Sequence, residues 1–506
     1  MRHFLFILCF GSTFTLYSQY DYFNQITGDL NDDASEAVAN VEVIDNAYVV
    51  WGGGINGLGE KFQFVRKYGP DGEIQNENIL PDNEGEYVYG GQTISFNLNP
   101  FLDEFVFLNG VVLESQVEGY MIVFNQNLDT LFTSSYNHYN PYTYLIGFEV
   151  MPDGYLVLGE QGGISNSNGT FVMKLDFAGN ILWSEILQAE VYQNIYRNWN
   201  IIDINSNYWI FGGGNTPETN FKPFGLITKI NSVGITQSAI TIADDDALRS
   251  NYLKAVKLEN GEILVSQPIS YELLDPNGSP YFFWNKIRLF KFNPETEEVY
   301  AQQDYFENYE QKKGRVFDME ATPDGGAIIQ GRRYVGFYAD MSWLMKVDST
   351  GNQEWYQEYA YEICNDCRNL LFDIELAPDG GYIAAGSFAN EGIDIRRATW
   401  LLKVDACGDL EWQGCSPLGV DNVKMKQFVV YPNPSHGKLF IDHENGSHLR
   451  YYEVFDVSGR LVARNTIISH QLTTTIELSL PNGMYLLKLV TTNNEVETHL
   501  IEINGE

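Results

Sequence analysis

Between Ala37 and Cys415 a single pattern of about 54 residues recurs seven times. A long internal period constrains a fold more than any other sequence feature. The last copy, residues 369–415, reads NLLFDIELAPDGGYIAAGSFANEGIDIRRATWLLKVDACGDLEWQGC. The copy before it contains GRVFDMEATPDGGAIIQGRR and SWLMKVDSTGNQEWYQEY. Copies open near Ala37, Gly90, Tyr144, Asn198, Tyr252, Gly314 and Asn369, in steps of 53, 54, 54, 54, 62 and 55 residues. A turn late in each copy gives a second ruler: Gly72, Asn127, Gly179, Gly234, Glu297, Gly351 and Gly408. Both rulers place the one long insertion in copy five, around SYELLDPNGSPYFFWNK.

Each copy reads as four strands. The first, such as Leu371 to Leu376, alternates weakly and is expected to be buried on both faces. The turn Pro378-Asp379-Gly380-Gly381 follows, with proline pre-setting φ and glycine supplying φ > 0. The second strand, Tyr382 to Gly386, carries small residues that let backbones approach closely. The third, Thr399 to Val404, alternates with period two. An Asp-x-x-Gly turn leads to a fourth strand with a tryptophan, Trp412 in the last copy. Four antiparallel strands repeated radially describe a β-propeller, here all-β with seven blades. A solenoid coil is shorter than this period.

A propeller must close its ring. Tyr22-Phe23-Asn24-Gln25-Ile26 matches Trp355-Tyr356-Gln357-Glu358-Tyr359, the fourth strand of copy six. The N-terminal segment therefore reads as a fourth strand without a blade of its own. Pairing it with Trp400–Val404 would complete the last blade and cover an exposed edge.

Residues 1–18 read as a signal peptide: Arg2 and His3, an apolar run from Phe4 to Leu16, and cleavage near Ser18. The expected organisation is 1–18 signal peptide, 19–416 propeller, 417–426 linker and 427–506 a second β domain. No other segment has the roughly 18 apolar residues of a membrane helix. The formal charge of −36 argues against nucleic acid and anionic membrane as partners, because both are polyanions. Four cysteines remain after processing: Cys364, Cys367, Cys407 and Cys415. Their spacing fits zinc ribbons badly, and an exported protein meets oxidising conditions, so disulfides are expected. Cys407 reaches Cys415 only if Asp409–Gly414 folds back, since an extended run would span about 25 Å. Cys364 would then pair with Cys367.

After Cys415 the repeat stops and short alternating strands with Gly and Pro turns indicate a small β-sandwich. Three stretches stand out: Tyr431-Pro432-Asn433-Pro434 followed by Gly437; Val454-x-Asp456-x-x-Gly459-Arg460; and Leu480-x-x-Gly483-x-Tyr485. Together they resemble the type A C-terminal sorting domain of the type IX secretion system, over roughly residues 427–504. The resemblance implies that this domain is an address. It implies recognition by the outer-membrane translocon, removal by a sortase-like peptidase, and cargo that is released or anchored at the cell surface. The final strand, Thr498 to Ile503, departs from the lysine-rich ending of many members.

Within the propeller, the turn Asp348/Gly351/Trp355 recurs as Asp176/Gly179/Trp183 and Asp405/Gly408/Trp412. It resembles the blade turn of quinoprotein dehydrogenases, which docks a tryptophan between blades, and the Asp-box of sialidases. Asp–Gly spacing differs from both, so these residues are read as structural. A sialidase also needs an arginine triad and a tyrosine. Arg332-Arg333 and Arg396-Arg397 are candidates, but read more simply as loop arginines. Calcium could bind acidic loops such as Asp244–Asp246 or Asn31–Asp33, although neither has the grammar of a known site. No other cofactor is expected, and no catalytic constellation is assigned. The segments between second and third strands are aromatic, as in Tyr281–Trp284 and Tyr334–Tyr338, and suit a glycan or protein ligand. The expected function is a secreted or cell-surface binding or adhesion module. The alternative is a hydrolase or glycan lyase whose site lies in the central funnel. A funnel lined by acids, arginines and a tyrosine would favour the enzyme.

Overall fold

The computed structural model describes residues 22–27, 35–81, 86–87, 95–113, 116–137, 143–163, 166–187, 194–204, 207–215, 223–243, 253–274, 280–306, 313–335, 339–391, 396–410, 428–443, 449–456, 460–466, 473–478, 480–491 and 496–504. Two compact units divide it, residues 1–417 and 418–506.

The first unit is the seven-bladed propeller. Its inner strands are Ser35–Ile44, Ser95–Asn99, Thr143–Met151, Asn194–Ile204, Lys254–Lys257, Arg315–Ala321 and Cys367–Leu376. Each begins an antiparallel run of four consecutive strands, except in blade 7, and in blade 2 the short strand Glu86–Tyr87 also pairs with Glu104–Leu113. There the sheet runs from Cys367–Leu376 through Tyr382–Asn390 and Arg397–Val404 to Phe23–Thr27. The register Phe23↔Lys403, Gln25↔Leu401 and Thr27↔Thr399 confirms the closing strand read from the repeat. Residues 411–427, with Trp412 and Cys415, lie outside the described residues.

Second strands explain their small residues. A Cβ on Gly386 would sit 1.9 Å from the Leu370 carbonyl oxygen, and one on Gly331 2.0 Å from Trp343. Contacts that close tolerate no side chain. The turn Ala377–Gly381 closes by paired backbone bonds of 2.9 Å, with Gly380 at φ 84°. Its aspartate has a second use: Asp379 accepts from Lys403, fully buried in the third strand, at 2.7 Å. The same pair recurs as Lys174–Asp153, Lys346–Asp324 and Lys291–Glu262, at 2.5 to 2.7 Å. A buried ammonium is tolerated only when paired in this way.

One sequence reading needs refinement and one needs correction. In the blade 2 turn, marked by Asn127 in the second ruler, the residue at positive φ is its neighbour Leu128, at φ 64°. Burial of the leucine side chain, 1% exposed, decides against the residue with the better local propensity. In blade 5 the aromatic run Tyr281–Trp284 is not a loop. It belongs to the 14-residue strand Pro280–Asn293, which pairs as far as Leu274↔Pro280. The insertion lengthens a hairpin.

The second unit has a three-stranded sheet, with strands Phe428–Tyr431, Lys438–His443 and Thr473–Glu477. Its four-stranded sheet comprises Leu461–Thr466, Leu449–Asp456, Gly483–Thr491 and Val496–Ile503. Leu439, Ile441, Val454, Leu487, Leu489 and Ile501 fill the core between them. No helix among the described residues is long and apolar enough to cross a membrane.

Candidate functional site

Seven inner strands surround the propeller axis, and their side chains decide what the central channel is. Register defines two tiers. The first holds Asn40, Ser95, Gly147, Asn200, Lys254, Asp318 and Asp373, each opposite the equivalent residue of its second strand. The second, two residues on, holds Glu42, Asn97, Glu149, Ile202, Val256, Glu320 and Glu375. In blades 1, 3, 6 and 7 a one-residue bulge at Ala39, Ile146, Phe317 or Phe372 precedes the first tier. Bulges re-aim the side chains that follow them.

All of the first tier and five of the second line a cavity of about 210 Å³. Six of these groups are carboxyls and one, Lys254, is a cation. The acids crowd onto blades 6, 7, 1 and 3, whereas blades 4 and 5 contribute Asn200, Ile202, Lys254 and Val256. Lys254 donates to Asp318 at 3.0 Å. Asp373 accepts from the Val41 amide at 2.8 Å.

Burial pushes Glu42 up to about 8, opposed by a bond from the Leu98 amide and reinforced by Asp318 and Glu149. Burial, with Asp203 nearby, pushes Glu149 up to about 7. Burial and the neighbouring carboxylates also raise Glu320, Asp373 and Glu375 well above the carboxylate range. For Lys254 burial acts downward, but Asp318 outweighs it and holds the ammonium above its ordinary value. Burial and mutual repulsion thus favour the protonated form of Glu42, Glu320, Asp373 and Glu375.

The sequence reading missed this site. Its signal was an acid at every second position of an otherwise apolar strand, as in Phe372-Asp373-Ile374-Glu375. The inner strand was expected to be buried on both faces; Asp373 and Glu375 instead face the lumen. Of the anticipated funnel residues the acids line the cavity, and among the described lining residues there is no arginine or tyrosine. Arg332 and Arg333 end a second strand rather than start a loop, and pair with Asp340 at 2.7 Å and Glu358 at 2.5 Å. The Arg397 amide bonds Ser35 at 3.0 Å.

The Asp-x-x-Gly turns lie at the outer ends of the blade seams. Asp176, Asp348 and Asp405 each accept two backbone amides of their own turn at 2.8 to 3.0 Å. Gly179, Gly351 and Gly408 take φ of 79°, 91° and 82°. Aromatics from the preceding blade dock on them. Tyr136 donates to the Gly179 carbonyl at 2.9 Å, Tyr305 to that of Gly351, and Tyr359 to that of Gly408 at 2.5 Å. Trp355 donates to Ala406 at 3.1 Å, and Trp183 packs against Gly234. At the closing seam Gln25 takes this part, donating to Gly72 at 2.6 Å.

Cys364 and Cys367 form a disulfide in the crossover into blade 7. Cys407 is also disulfide-bonded. Among the described residues no group of three or more His, Cys, Asp or Glu side chains is arranged to hold a metal ion. Asp244–Asp246 and Asn31–Asp33 lie outside them.

In the C-terminal unit, Pro432, Asn433 and Pro434 follow the first strand, and Gly437 adopts φ 89°. A Cβ there would meet the Leu478 carbonyl oxygen at 2.5 Å. Asp456 accepts the Arg460 amide at 3.1 Å, and Tyr485 donates to the Pro481 carbonyl at 2.9 Å. Gly483 opens the strand that carries Tyr485, and Gly459 lies outside the described residues.

No curated protein matches the chain. Among solved structures it is similar to the β-propeller domain of the Trilobed protease from Pyrococcus furiosus, at 7% identity and TM-score 0.41. That likeness covers 74% of this chain and 99% of the other. An α-L-arabinofuranosidase of Fusarium graminearum, solved with arabinobiose, matches at 9% identity and TM-score 0.40, covering 76% and 98%. A protein of unknown function from Dyadobacter fermentans matches at 12% and 0.40, covering 74% and 96%. Likeness at this level says nothing about chemistry. The decisive match lies elsewhere: residues 429–504 belong to the family of secretion system C-terminal sorting domains, and the protein is a secreted or cell-surface β-propeller that carries this address for the type IX machinery.

Proposed function

We propose that the propeller is a non-catalytic binding or adhesion module displayed outside the cell. The observation that carries this reading is how the channel groups are engaged. Lys254 is bonded to Asp318 and Asp373 to the Val41 amide, inside about 210 Å³. Sites that enclose small molecules usually measure about 300–1,000 Å³. A ligand would then be met at a rim of the ring, an unidentified glycan or protein being the class that aromatic side chains suit. Purified protein probed on a glycan array and a peptide library should show binding, while a broad hydrolase panel shows no turnover. Turnover in that panel, abolished by Glu149→Gln, would replace this reading.

The second reading is a hydrolase or glycan lyase acting in the channel. One observation favours it: Glu149, held near 7, is poised as a general acid across the lumen from the Lys254–Asp318 pair.

Three further assignments complete the proposal. Cleavage after Ser18 should give a mature chain that starts at Gln19, read by N-terminal sequencing. A sortase-like peptidase removes the sorting domain, and a chain lacking residues 427–506 should accumulate folded in the periplasm. Cys407 pairs with Cys415. A Cys367-to-Cys407 or Cys364-to-Cys415 peptide in a non-reducing map would refute that pairing.

A further inference from the structure

The acidic side of the channel coincides with the seam where the ring closes. Blade 7 meets blade 1 there, and no covalent connection crosses at that point except through the closing strand, five residues long. At the outer end this seam is held by neutral bonds: Gln25 to Gly72 at 2.6 Å and Thr27 to Tyr68 at 2.8 Å. At the inner end it is held by a carboxyl group. Asp373 of blade 7 accepts the Val41 amide of blade 1 at 2.8 Å, with Asn40 Nδ2 at 3.5 Å.

That carboxyl group is not isolated. Asp318 of blade 6 lies beside it in the same cavity and raises Asp373 further. Neighbouring carboxyl groups favour the state in which one of them carries a proton. Beneath them Glu42, Glu320 and Glu375, from the same three blades, face one another. The only cation among the described lining residues, Lys254, is bonded to Asp318. Blades 2 and 4 present the neutral Ser95, Asn97 and Asn200, and blade 3 adds Glu149, itself influenced by Asp203. Full ionisation would place six negative charges and one positive charge on the described lining residues. We propose that closure of the ring is proton-dependent: the carboxyl cluster holds blades 6, 7 and 1 together while it keeps its protons, and forces the closing seam apart once it loses them.

The direction follows from linkage. Folding raises Glu42 from 4.5 to about 8 and Glu149 from 4.5 to about 7. Their contribution is complete below the unfolded value and is lost as pH rises through the folded one. Carboxylates that folding depresses, such as Asp324, Asp348 and Glu358, titrate on the acid side of this window and leave its slope alone. Glu104, raised by burial on blade 2, lies outside the cluster and serves as an internal background.

The test is thermal unfolding of the full chain followed by tryptophan fluorescence. All nine tryptophans lie between residues 51 and 412, so the signal reports the propeller alone. Between about pH 5 and about pH 9, Tm should fall by roughly 5 °C or more. The variant Glu42→Gln/Glu320→Gln/Asp373→Asn, which copies the protonated cluster, should lose at least about half of that slope. A flat or rising Tm in the natural protein, or an unchanged slope in the variant, overturns the proposal. Should the triple variant fail to fold, Glu42→Gln and Asp373→Asn singly carry the same comparison. Infrared spectra of the natural protein with labelled carboxyl carbons give a separate reading. A protonated-carboxyl band present near neutral pH and lost in alkali supports the cluster, and its absence near neutral pH refutes it.

Discussion

At the outer rim of the propeller, the seams between blades 2 and 3, 5 and 6, and 6 and 7 are built from the same two parts. A turn with a residue at positive φ offers its carbonyl, and an aromatic side chain of the preceding outer strand docks on it. At the axis the blades meet through residues that differ from one copy to the next: asparagine, serine, glycine, lysine or aspartate at one and the same register position. Recurrence at the rim gives these seams a common geometry, while Gln25 and the asparagines Asn76 and Asn78 take the same part at the seams on either side of blade 1. Unevenness at the axis produces a channel with an acidic side and a nearly neutral one. Structure is thus written in what repeats, and the candidate site in what does not.

The harshest way to break this comparison is to remove a whole seam. Deleting residues 20–30 takes away the closing strand and exposes the edge of Arg397–Val404. Loss of soluble, cooperatively folding protein is expected, measured by fluorescence melting and size-exclusion chromatography; a deletion that melts like the parent would contradict the closure.

Next in size is the repeated buried pair. Lys403→Ala leaves the Asp379 carboxylate, 6% exposed, without its ammonium. A loss of about 3–5 kcal/mol is expected from urea unfolding. The double variant Lys403→Met/Asp379→Asn should recover a large part of it.

A single rim contact sharpens the contrast. Tyr359→Phe keeps the packing of the ring and removes one hydrogen bond to Gly408. It should cost about 1 kcal/mol, as should Tyr136→Phe at the seam between blades 2 and 3. Equal costs would support equivalent seams.

The smallest effect belongs to the sorting domain. Arg460 is exposed and its pair with Asp456 at 3.2 Å is solvated. Arg460→Ala should change stability by less than about 0.5 kcal/mol. Any larger defect in surface delivery, measured by fractionation, would then report recognition rather than folding.

Blade number, the closing strand and the sorting domain could all be read from the chain. Each rests on local grammar: a turn, an alternation, a motif of fixed spacing. The blade 2 turn shows the limit even there. Asn127 has the better propensity for positive φ, yet Leu128 adopts it, because its side chain fills the seam below. The hairpin of blade 5 was mistaken for a loop because its aromatic run carries no register of its own; pairing with Tyr271–Leu274 supplies it.

The sequence by itself determined the architecture and the export route, since both depend on residues close together along the chain. The channel was decided by the tertiary structure alone. Glu42 and Glu375 stand at opposite ends of the repeat array and become neighbours only when the ring closes. Within a strand, each acid looks like an ordinary polar residue alternating with apolar ones. Seven strands converging on one axis turn those scattered acids into a cluster whose charge no single blade contains.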